Sequence, residues 1–214
     1  MISKNSIRKY NLEYYISEDT IGKFDMPKLY PTIYTPKELI GFANINKADS
    51  ESCIHFYQDD YQFERIWNRP MLYVDKIKEY DCALTPDFSL YSDMPIAMMI
   101  WNIYRSRLIG QIMQRNGLTV IPTVSWADSR SFDFCFDSLP QQSTLSVSTI
   151  GVHRSKKRTK LWQDGVEEML QRLKPAELLI YGQPIKYKWP EDMKIKYYKN
   201  DNYERLRRKL NNGR

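Results

Sequence analysis

The stretch from Asp81 to Val152 constrains the fold more than any other part of the chain. It holds three apolar runs of β type: Asp81-Cys-Ala-Leu-Thr-Pro-Asp-Phe88, Leu118-Thr-Val-Ile-Pro-Thr-Val-Ser-Trp126 and Ser143-Thr-Leu-Ser-Val-Ser-Thr-Ile-Gly-Val152. Patterns of helical period separate them, and such alternation argues for a largely parallel sheet. Ser52–Tyr57 and Glu177–Tyr181 are two further β-rich runs. The expected fold is therefore α/β, a mainly parallel sheet of about five strands alternating with about five helices. A complete eight-stranded barrel takes on the order of 250 residues. The chain has 214, so an open sheet or an incomplete, TIM-barrel-like arrangement is expected, and the sequence does not separate the two.

Local signals place the helices. Thr35-Pro-Lys-Glu38 reads as a capping box with proline at the first helical position, opening a short helix to about Asn46. Pro70 opens a helix to about Tyr80. Pro95 opens the longest helix, which Gly117 should stop, with Asp93 as its N-cap. A further helix ends near Leu173. Residues 1–30 read as an irregular N-terminal segment or edge strand, residues 31–185 as the α/β domain, and residues 186–214 as a basic tail with a short helix at Asn202–Leu210.

Eight glycines leave little room for phosphate-cradling loops, and neither a P-loop nor a G-x-G-x-x-G pattern occurs. No apolar run approaches the roughly 20 residues that span a bilayer. Basic residues near Met1 precede no apolar core, so a secretory signal is not expected. Cys53, Cys82 and Cys135 are odd in number and widely spaced, which suits reduced core thiols in a cytoplasmic protein and not a zinc site.

Charge is unevenly placed. Residues 1–185 carry 22 basic and 22 acidic side chains, whereas residues 186–214 carry 10 and 4, the whole net charge of +6. Within the neutral body, His153-Arg-Ser-Lys-Lys-Arg-Thr-Lys160 packs five Lys or Arg residues closely together. Such a cluster is either a solvated surface or a contact for phosphates.

Ligands of parallel sheets bind outside the carboxyl ends of the strands. The residues just past each run are Asp59 and Asp60, Asp87 and Asp93, Trp126 and Asp128, Gly151 and His153, and Tyr181 and Gln183. Asp59, Asp60 and Asp87 form a candidate oxygen-ligand set for a divalent cation, Mg²⁺ or Mn²⁺. Asp87 and Asp128 are the candidate catalytic carboxylates, since two such groups in unlike environments divide acid and base roles. Trp126 and Tyr91, near Tyr57 and Phe88, are candidate stacking surfaces for bases or sugars. Arg105, His153, Arg154, Lys156, Lys157 and Arg158 are candidate phosphate contacts. Arg105 and Arg107 cannot share one helix face, so at most one reaches the site. His55 lies within a β run and reads as a core histidine.

The runs Gln58–Trp67, Pro86–Tyr91, Trp101–Arg105, Val120–Trp126 and Phe132–Asp137 together resemble the domain of unknown function four-four-one-seven, met in bacteria, phages and mobile elements. The resemblance covers roughly residues 30–185. It implies an α/β domain of phage or prophage type and brings no catalytic residue set with it.

Two functional readings follow. One is an enzyme acting on a phosphate-containing substrate, a nucleotide or nucleic acid, with metal-assisted or acid–base chemistry at the strand ends. The other is a non-catalytic protein gripping nucleic acid or a host protein through its basic surface and aromatic patch. Carboxylates at the strand ends favour the first. Missing metal-ligand spacing and the lack of a recognised nucleophile favour the second.

Overall fold

The β-type runs form strands, and the strands lie side by side in the order in which the chain makes them. The structure, a computed structural model, describes residues 2–47 and 49–200. In chain order it contains α1 (Lys4–Lys9), β1 (Thr20–Ile21), β2 (Met26–Pro27), β3 (Leu39–Gly41), β4 (Cys53–His55), α2 (Glu64–Asn68), α3 (Pro70–Ile77), β5 (Cys82–Leu84), α4 (Ile96–Arg115), β6 (Val120–Ile121), α5 (Phe132–Cys135), β7 (Thr144–Ser148), α6 (Lys156–Leu173), β8 (Glu177–Tyr181) and β9 (Lys194–Tyr198). The short pair β1–β2 is antiparallel. The other strands are parallel, in one sheet of order β3-β4-β5-β6 and another of order β7-β8-β9. A parallel bridge between Thr123 and Ser146 links the two sheets.

Alternation along the strands sorts side chains to two sides. One set, Leu39, Cys53, Tyr57, Cys82, Leu84, Ile121, Leu179, Tyr181 and Tyr198, gathers in a single buried cluster drawn from both sheets. The alternate residues face the helices: Ile54, Phe56, Ala83 and Val120 pack with residues of α2, α3 and α4, while Leu145, Val147, Leu178 and Ile180 pack with residues of α5 and α6. Sequential parallel strands sharing one inner cluster make an incomplete barrel. Among the described residues no strand pairing joins β9 back to β3. The expected open or incomplete α/β architecture is what the chain forms, with seven parallel strands where about five were expected. The three cysteines are free and buried, as expected. No helix among the described residues is long and apolar enough to cross a membrane.

Three local expectations fail. The capping box at Thr35 starts no helix. Glu38 instead accepts a hydrogen bond from Ser52 Oγ at 2.8 Å, Thr35 bonds Glu177, and Leu39–Gly41 pairs with Cys53–His55 as β3. Gly41 permits this, because a Cβ there would lie 2.8 Å from the Gln58 amide. Within the segment read as basic tail, Lys194–Tyr198 forms β9, which extends the parallel array to Tyr198, while the helix expected at Asn202–Leu210 lies outside the described residues. The N-terminal segment, read as irregular structure or an edge strand, holds α1, β1 and β2 in an arm packed on the outside of α4. Gln111 Nε2 donates to the carbonyls of Asp19 and Lys28, and the Gln114 amide makes two bonds with the Tyr30 backbone. That cover explains why α4 is buried on nearly all sides from Asn102 to Met113. Finally, Pro95 precedes α4 with no side-chain cap, so Asp93 is not its N-cap.

The chain then crosses the N-terminal ends of the strands. Thr144 N–H donates to Thr32 O at 2.7 Å, and Ser143 Oγ both accepts from Thr32 N–H and donates to Thr32 O at 2.9 Å. Tyr34 N–H donates to Thr144 Oγ1 at 3.1 Å, and the Tyr34 hydroxyl bonds Asp81 just before β5. This end of the array is sealed by the protein's own backbone.

Candidate functional site

The opposite end is open. The loops following β4, β5, β6 and β7 surround a cavity of about 630 Å³ whose lining includes Asp59, Asp87, Tyr91, Asp93, Trp126, Gly151 and Arg158. Residues separated by up to 99 positions in the sequence thus meet because parallel strands deliver all their carboxyl ends to one side.

Asp87 follows β5, is partly buried and lines this cavity. That burial lifts its carboxyl to about pKa 7. A hydrogen bond from Ser125 works against the rise, the neighbouring Asp60 charge adds to it, and Arg107 opposes it. Asp60 itself shapes the loop: its carboxylate accepts from Ser89 N–H at 3.2 Å and Ser89 Oγ at 2.7 Å. Asp59 lines the cavity. Among the described residues no three His, Cys, Asp or Glu side chains converge to hold a metal ion. The Asp59–Asp60–Asp87 set is therefore not a ready-made cage.

Tyr57 forms part of the cavity wall, its hydroxyl 2.7 Å from Ser146 Oγ. Burial first, and the Asp87 charge second, hold the phenol well above its ordinary value, so it stays neutral. Two residues earlier on the strand, His55 Nδ1 accepts the Tyr57 N–H at 3.1 Å, which places the ring proton on Nε2. Burial pushes this imidazole down to about pKa 3. His55 is a core histidine, as expected, although its Nε2 lacks a hydrogen-bond partner. Tyr181 stacks on Tyr57 with ring centroids 5.1 Å apart, inside the barrel and away from the cavity lining.

Trp126 forms a wall. Its indole N–H donates to Leu161 O at 3.1 Å, and its ring lies so close to α6 that a Cβ on Gly165 would sit 2.1 Å away. Trp162 Nε1 donates to Ser148 O at 2.9 Å on the same side. Gly151 turns the chain at φ 75°, and Arg158 Nη1 lies 3.5 Å from Gly151 O. His153, Arg154, Lys156 and Lys157 are exposed beside it, His153 Nε2 lying 3.5 Å from Gln183 O. Arg154, Lys156, Lys157 and Arg158 take part in no ion pair among the described residues.

Two expected site residues lie elsewhere. Arg105 bonds Glu64 at 2.7 Å and Asn102 at 2.6 Å, and its guanidinium sits 3.8 Å above the Phe88 ring. It holds the β5 loop in place without lining the cavity. Asp128 bonds Arg130, which keeps its carboxyl below the usual range, and caps a short 3₁₀ turn; it is not among the residues that line the cavity. Arg107 is fully buried, donating to Thr123 O at 3.2 Å and Cys135 O at 2.8 Å. Ser125 and Gln58 line the cavity without having been singled out, and nothing in a short polar residue past a strand would have marked either.

A family model described as Domain of unknown function (DUF4417) matches residues 18–199. The Gene 1 protein of Mycobacterium phage L5 is 41% identical over 169 residues, covering 77% of this chain and 74% of that protein. The Gene 1 protein of Mycobacterium phage D29 is 39% identical over 177 residues, covering 80% of this chain and 64% of that protein. No solved structure matches. The family match spans all seven parallel strands and nearly the whole cavity lining. The chain belongs to the DUF4417 family and is related to proteins of mycobacteriophages.

Proposed function

We propose that the cavity binds a nucleotide-type, phosphate-bearing ligand and that Asp87 exchanges a proton with it. One observation carries the reading: a carboxyl held near pKa 7 lines a cavity whose rim bears Arg158, which makes no ion pair among the described residues. A group with its pKa near neutral pH is half protonated there and serves as donor or acceptor, which is why such shifts cluster at functional sites. The cavity volume falls within the roughly 300–1,000 Å³ range of small-ligand sites. Ser125 and neutral Tyr57 supply hydrogen bonds beside Asp87, and Arg158 supplies a charge-assisted partner for phosphate. A Mg²⁺ or Mn²⁺ ion is not needed for this proton exchange. One bound at Asp59 and Asp87 would complete its shell with water.

Calorimetric titration with the common nucleoside monophosphates at pH 6, 7 and 8 tests the proposal. At least one should bind, with an affinity that changes through pH 7. Arg158→Ala should weaken it about tenfold, or about 1.4 kcal/mol, and Asp87→Asn should remove the pH dependence. If no nucleotide binds at millimolar concentration, the reading fails. Binding whose affinity is flat across this range would remove Asp87 from the proton exchange.

A further inference from the structure

We infer that the nucleotide reaches this cavity as part of a single-stranded nucleic acid laid across its mouth, an inference that rests on the nucleotide reading above. Tyr91 lines the cavity and is 59% exposed, and Tyr61, beside the cavity-lining Gln62, is 79% exposed. Rings left in water at the rim of a cavity offer π-faces on which successive bases stack.

The charge pattern fixes where the backbone runs. Arg154, Lys156, Lys157 and Arg158 are exposed and make no ion pair among the described residues, and the first turn of α6 holds no acidic residue. Cations at a helix N-terminus oppose its macrodipole, so these side chains stand where local stability disfavours them and where an anion would relieve the conflict. Inside the cavity the sign reverses, because Asp59, Asp87 and Asp93 line it. Phosphates are repelled from the interior and held on the basic rim, while a neutral base enters toward Asp87, which accepts from or donates to its edge. A base within a duplex stack does not reach such a recess without being turned out, so the fit is to a single strand.

Fluorescence anisotropy with a labelled 12-nucleotide mixed-sequence single strand, and with the duplex of the same sequence, tests this between 50 and 200 mM salt. The single strand should bind at least tenfold more tightly than the duplex. Its log affinity should fall with log salt by about 0.7 per neutralised phosphate. Replacing Lys156, Lys157 and Arg158 together by alanine should flatten that slope by about two, whereas Tyr91→Ala should weaken binding about tenfold at an unchanged slope. These side chains are exposed, and melting curves would verify that the variants fold. Equal or tighter duplex binding, no binding at 50 mM salt, or an unchanged slope in the triple variant overturns the inference. If mononucleotides bind but the single strand binds no more tightly than they do, this inference falls and the nucleotide site stands. If neither binds, both fall.

Discussion

At the N-terminal ends of the strands, polar groups are paired within the protein: Ser143 Oγ satisfies both backbone groups of Thr32, and Thr144 Oγ1 accepts from Tyr34 N–H. At the C-terminal ends, Asp87 is held near pKa 7, four cations of the 154–158 segment have no ion-pair partner among the described residues, and Tyr61 and Tyr91 stand in water. The closed end serves stability. The open end retains costs that a purely structural optimum would have removed, and such costs collect at functional sites in parallel β/α folds. The Asp87 loop shows how the two aims meet, since Asp60 and Arg105 are used to shape it while Asp87 is left facing the cavity.

The contrast can be broken at either end. The largest effect is expected from Gly165→Ala, whose Cβ would collide with the Trp126 ring. Overpacking of this kind costs about 3 kcal/mol, which lowers Tm by about 6–12 °C in a chain of this size. Because Trp126 must move, nucleotide binding should weaken as well. Ser143→Ala strands the Thr32 N–H at the closed end and should cost about 2 kcal/mol, or about 4–8 °C in Tm, with nucleotide affinity unchanged. A loss of affinity in this variant would show that the two ends are coupled.

The effect expected at Asp87 has the opposite sign and depends on pH. Asp87 has a folded pKa of about 7, above an unfolded value of about 3.9. Its contribution is fully present below pH 4 and is lost as pH rises through 7, because the folded protein holds the proton longer than the unfolded chain. Asp87→Asn removes that loss. It should raise Tm at pH 8 and change it little near pH 4, as differential scanning calorimetry would show. Destabilisation at pH 8 would make Asp87 a structural carboxylate.

Much of this was legible in the sequence because the relevant signals are local. Glu177–Tyr181 is a strand over the expected residues, and α4 begins and ends beside Pro95 and Gly117 as their backbone preferences require. The strand-end rule placed Asp59, Asp87, Trp126 and Gly151 at one cavity before any contact was known. What stayed hidden depends on distant partners. Leu39–Gly41 is a strand only because Cys53–His55 lies beside it, and Lys194–Tyr198, read as charged tail, becomes β9 by pairing with β8. Arg105 looked like a phosphate contact, but Glu64 and Phe88, 41 and 17 residues earlier, claim it. Asp128 was matched to Asp87 by position, while Arg130, two residues away, decides its state.

The most direct test is an NMR titration of the Asp87 carboxyl carbon, assigned by comparison with Asp87→Asn, in the free protein and with a saturating nucleoside monophosphate. Titration near pH 7 in the free protein, displaced when the nucleotide binds, is the expected result. A midpoint below pH 5 that the nucleotide leaves unchanged would contradict it.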